Sequence, residues 1–107
     1  MGEIQRGNQT QQQIAIIPPQ YADQRRSTVG ATPITITFIR STEAILVKNT
    51  HATQNLYVFM RSEEGAWNAE YTSIAAGGQL NWNMRTDAIQ IQGSGAGTNY
   101  EIFATLE

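Results

Sequence analysis

The chain holds one histidine and no cysteine among its 107 residues. That histidine, His51, stands in the polar run Asn49-Thr50-His51-Ala52-Thr53-Gln54. Without cysteine there is no disulfide, no thiolate nucleophile and no thiolate-held zinc. A metal site needs several converging ligands, and His51 with Glu63-Glu64 is a thin set. Glu63-Glu64 reads as the solvated tip of a turn, and His51 as a structural loop residue. Ser41, Ser62, Ser73 and Ser94 have no histidine and acid beside them, although triads assemble in space rather than in sequence. Glu70, Asp87 and Glu101 could in principle pair for glycoside hydrolysis, but nothing in their surroundings sets them apart from surface acids. Gly93-Ser94-Gly95-Ala96-Gly97 has the glycine density of a phosphate cradle. Such a cradle needs a helix after it, whereas Tyr100, Ile102 and Ala104 alternate as a strand does. No catalytic residue, cofactor or metal is expected, and the protein is not expected to be an enzyme.

The aromatic residues offer a different chemistry. Trp67, Trp82, Tyr57 and Tyr71 could stack on a sugar. Trp82 keeps phase with Leu80 and Met84, which assigns it to a core. Trp67 follows the Glu63-Glu64-Gly65-Ala66 turn, so Trp67 and Tyr71 are the candidate ligand contacts.

The elements that must carry these residues are strands. Ile34, Ile36 and Phe38 alternate with threonine. Ala44–Lys48, Asn55–Arg61, Trp67–Ile74, Gln79–Met84, Ala88–Gln92 and Thr98–Leu106 follow, each short and each bounded by turn residues. No window has helical spacing. About seven short strands at intervals of roughly ten residues predict an all-β fold, an antiparallel sandwich or small barrel. Ala76-Gly77-Gly78 and Gly93–Gly97 read as the turns of tight hairpins, because glycine tolerates positive φ. In Asn55–Arg61 the two faces are both apolar: Leu56, Val58 and Met60 on one, Tyr57 and Phe59 on the other. A half-solvated strand does not look like that, so Tyr57 and Phe59 are candidate interface residues.

Residues 1–33 differ in kind. They are rich in glutamine and carry three arginines against two acids, a charge of +1, which leaves −3 of the net −2 on residues 34–107. Their apolar cluster, Ile14-Ala15-Ile16-Ile17, stops at Pro18-Pro19, which remove two backbone donors and fix an extended chain. The segment reads as an extended or disordered arm ahead of a sandwich domain at 34–107. Either it is an unstructured terminus, or Ile14, Ile16, Ile17 and Tyr21 dock on another subunit or a partner surface. An isoleucine cluster in a polar tail favours docking, and homo-oligomerisation is expected. No basic stripe invites nucleic acid. No apolar run approaches the ~18 residues that span a bilayer, and residues 1–13 lack the apolar centre of a signal peptide. Synthesis in the cytoplasm without membrane attachment is the expectation.

The segment from Ile74 to Glu107 resembles the C-terminal half of small tailed-bacteriophage virion proteins, in its Ala76-Gly77-Gly78 turn and its Gly93-to-Glu101 ending. The resemblance implies an accessory structural role in a virion, as capsid decoration (cement) or a fibre module. It also implies an oligomer, with a trimer preferred, and capsid or other virion proteins as partners. A carbohydrate- or receptor-binding module of a fibre is the alternative, with glycan as its ligand.

Overall fold

The computed structural model describes residues 21–107 as eight strands, with no helix among them. The strands are β1 (Tyr21–Val29), β2 (Ile34–Thr37), β3 (Thr42–Asn49), β4 (Leu56–Phe59), β5 (Thr72–Ile74), β6 (Gln79–Trp82), β7 (Ala88–Gly93) and β8 (Thr98–Leu106). They form two antiparallel four-stranded sheets, ordered β1-β8-β3-β6 and β2-β7-β4-β5. The expected all-β sandwich is what the chain forms, as two open sheets and not a closed barrel.

The pairing has one rule. β4 pairs with β5, β3 with β6, β2 with β7 and β1 with β8. The chain is thus a long ribbon doubled back at the β4–β5 connection and wrapped into two sheets. The wrap is closed by β3 against β8 and β4 against β7. This is the strand order of a jelly roll. Every connection except β4–β5 consequently crosses from one sheet to the other. The two glycine turns are therefore arches between sheets and not the hairpins expected. The backbone demand read from them does hold, since φ is 77° at Gly77 and 69° at Gly97.

Alternation supplies the core. Ile45 and Val47 of β3, Leu56 and Val58 of β4, Ile89 and Ile91 of β7, and Ile102 and Leu106 of β8 are essentially inaccessible. Each contributes roughly 1.5–3 kcal/mol of transfer free energy. Leu80, Trp82 and Met84 are half-buried against this core, as their shared phase predicts.

β1 lies inside the segment read as an arm. It pairs along its whole length, from Tyr21 opposite Leu106 to Val29 opposite Thr98. Of its inward positions only Val29 is buried and apolar, while Asp23, Arg25 and Ser27 are polar. The strand therefore lacks the apolar alternation by which the others were read. Ile14, Ile16 and Ile17 lie outside the described residues.

Candidate functional site

The residues that could have done chemistry do structural work, His51 at one end of the sandwich and Glu63, Glu64 and Asp87 at the other. His51 Nδ1 accepts the backbone N–H groups of Thr53 and Gln54, at 3.1 and 3.0 Å, and so shapes its own loop. Beside it Asn49, 1% exposed, donates from Nδ2 to the carbonyls of Gln54 and Ile74 at 2.7 and 2.9 Å. Its Oδ1 accepts the N–H of His51 at 3.0 Å. The glycine arch packs on the same loop: Ser94 N–H donates to the Asn55 carbonyl, Asn55 N–H to Ser94 Oγ, and Thr98 Oγ1 to Gln54 Oε1. Glycine at 93 is required by space, because a Cβ there would stand 2.7 Å from Thr98 Cβ and 2.9 Å from the Gly95 carbonyl oxygen. The loop cradles no open anion site; its own side chains fill it.

Glu63-Glu64 lies at the opposite end of the sandwich, in the β4–β5 connection. Glu63 accepts from Ser41 and from Arg85, and Arg85 also meets Glu107 at 3.1 Å. Asp87 takes a bidentate pair from Arg61, with Nη2 at 2.7 Å and Nε at 3.2 Å, and it accepts the N–H of Glu64 at 3.2 Å. The hydrogen bonds from Arg61 hold the Asp87 carboxyl below the usual carboxylate range. Glu101 sits on β8 and pairs with Arg26 at 2.9 Å. Glu70, Asp87 and Glu101 share no site. Among the described residues no group of three or more His, Cys, Asp or Glu is placed to hold a metal.

The two candidate ligand contacts have different partners. Trp67 is half-buried, with the Arg61 guanidinium 4.6 Å from its ring centre. Tyr71 is 50% exposed and joins the outer face of the β2-β7-β4-β5 sheet. Its ring centroid lies 4.3 Å from that of Tyr57 and 5.6 Å from that of Phe59. β4 is thus an interior strand whose outer aromatic face is covered in part by its own chain. Gln90 and Gln92 of β7 and Ser73 of β5 flank the rings in register.

The other sheet carries an apolar patch that the sequence reading did not single out. On its outer face Leu46 stands opposite Phe103 and Asn81, and Ala44 opposite Thr105. With Asn83 they line an open groove of about 260 Å³, and Phe103 is 42% exposed. Ala44, Leu46 and Phe103 could have been recognised only by knowing that β3 and β8 are neighbours. Tyr21, expected at an interface, opens β1 with the Arg40 guanidinium 4.0 Å from its ring centre, and it remains 46% exposed.

No family model matches the chain, and no curated protein matches it. A solved structure from work describing Bacillus endospore appendages as a novel family of disulfide-linked pili is similar over 92% of this chain and 100% of its own. The identity is 18% and the TM-score 0.45.

Proposed function

We propose that this protein is a non-enzymatic structural subunit of a phage virion, an oligomeric capsid-decorating protein that attaches by burying apolar surface. The observation that carries this reading is the pair of apolar patches on the outer faces, Leu46 with Phe103 on one sheet and Tyr57, Phe59 and Tyr71 on the other. Contiguous apolar groups on the outside of so small a domain mark contact surfaces. The jelly-roll order adds support by analogy alone, since viral capsid domains use it among many others. Attachment would stabilise a shell by mass action, and repetition around the shell would multiply weak contacts through effective concentration. The test is mass in solution by light scattering, on the full chain and on a chain beginning at Tyr21. A trimer, or another closed oligomer, that loosens without residues 1–20 supports the reading. A monomer in both forms at all concentrations rejects it.

The Tyr57–Phe59–Tyr71 cluster, bordered by amide side chains, also favours a second reading, a glycan-binding module of a fibre. Rings beside hydrogen-bonding amides suit a sugar face. Glycan-array binding that disappears with Tyr71→Ala would move the assignment there.

A further inference from the structure

We infer that the groove between β3 and β8 is the seat for residues Ile14–Ile17 of a second copy of this chain. The inference rests on the self-assembling reading above and names its contact.

The groove has the chemistry of a short aliphatic segment. In it Leu46 and Phe103 stand in register beside the smaller pair Ala44 and Thr105, and Asn81 and Asn83 form the rim on the β6 side. No charged side chain lines it. The occupant matches on each count. Ile14-Ala15-Ile16-Ile17 is the apolar cluster of residues 1–20, and from Gly7 to Gln20 the chain carries no charge. Glutamines at 11, 12 and 13 lead into the cluster, and their amides complement the asparagine rim. Each isoleucine withdrawn from water strengthens attachment by about tenfold or more.

The place where those residues join the fold decides which copy they reach. Tyr21 opens β1 at the edge of the sheet, opposite Leu106. Phe103 is one strand inward and three residues along, about 11 Å away. Only Pro18, Pro19 and Gln20 connect Ile17 to Tyr21. Proline fixes its own φ and biases the residue before it toward extended backbone, so the sequence at Ile17 and Pro18 disfavours a reversal there. A two-residue reversal at Pro19 and Gln20 would return the chain alongside the outer edge of β1. It would not carry the chain across a face one and two strands further in. A chain held extended by its prolines would advance about 3.1 Å per residue, and on that reach the cluster is assigned to a neighbour.

The native chain has no cysteine, which makes a crosslink test clean. Full-length Ile16→Cys and full-length Phe103→Cys, distinguished by tags of different length, are mixed and mildly oxidised. A third chain, Thr35→Cys, places the thiol on the outer face of the other sheet as the control. The expected result is a reducible heterodimer with Phe103→Cys, several-fold more abundant than with Thr35→Cys. Phe103→Asn in an otherwise native full chain should weaken self-association about tenfold, with an unchanged far-ultraviolet circular dichroism spectrum. Crosslinking to Phe103→Cys no greater than to the control overturns the inference. So does ring closure within one chain in the Ile16→Cys/Phe103→Cys double variant. If light scattering still shows an oligomer in that case, only the contact is wrong; if it shows a monomer, the assembly reading fails with it.

Discussion

Asn49 uses its side chain to tie its own following loop to the end of β5. It ties Gln54 and Ile74 by donation and His51 by acceptance, while its backbone meets Gly77 and Gly78. Asn49→Ala should therefore cost about 2–4 kcal/mol, because it strands buried carbonyls as well as removing bonds. A urea melt with an unchanged slope would check this. Asp23 belongs to the same scale. Hydrogen bonds from Arg25, at 2.8 Å, lower its pKa from that of a free carboxyl. A folded pKa below the unfolded one means stability that is present above the unfolded value, about 3.9, and lost as pH falls through the folded value. Melting temperature should hold from neutrality down to about pH 4 and fall below it, with a shallower fall in Asp23→Asn. None of these roles could be read beforehand. Asn49 and Asp23 are ordinary polar letters until long-range pairing brings their partners to them.

At the scale of elements, β4 was the most legible strand and β1 the least, for related reasons. Leu56 and Val58 announce burial by period two, and Tyr57 and Phe59 announce a second covered face. Leu56→Ala should cost about 2–5 kcal/mol, whereas Tyr71→Ala, at a half-exposed ring, should cost no more than about 1.5 kcal/mol. Chemical denaturation of the two variants makes the comparison. β1 hides because its inward side chains are charged: Arg25 lies 5.7 Å from the Phe38 ring centre and donates to the Thr37 carbonyl at 2.8 Å. Inward charge on an edge strand discourages edge-to-edge pairing with a stranger, so the feature that concealed β1 also protects it. The structure thus moves the useful truncation point. Removing residues 1–20 should leave the melting temperature within a few degrees of the full chain. Removing 1–33 deletes a nine-residue ladder and exposes β8, and that protein should aggregate on heating.

For the whole molecule, alternation gave the sandwich but left the jelly-roll order unwritten, since pairing β1 with β8 depends on contacts at opposite ends of the chain. The two ends of the sandwich also differ in chemistry. The arches at 30–33, 50–55, 75–78 and 94–97 contain no aspartate, glutamate, lysine or arginine. Arg40, Arg61, Glu63, Glu64, Arg85, Asp87 and Glu107 gather at the other end. Because the groove and residues 7–20 are both uncharged, self-association should barely change between 50 and 500 mM sodium chloride, and sulfate should strengthen it. Sedimentation velocity across those salts measures it.

Tyr21 and Leu106 face each other across one ladder. The first described residue and the last strand residue are thus neighbours, and the fold is topologically almost a ring. Anything fused behind Glu107 would emerge beside the root of the N-terminal segment, so cargo displayed there should compete with assembly. Cargo placed in the uncharged arches should leave it free. A permuted chain, joined by a short linker across the old ends and opened between Ser94 and Gly97, would move both termini to the far end of the molecule.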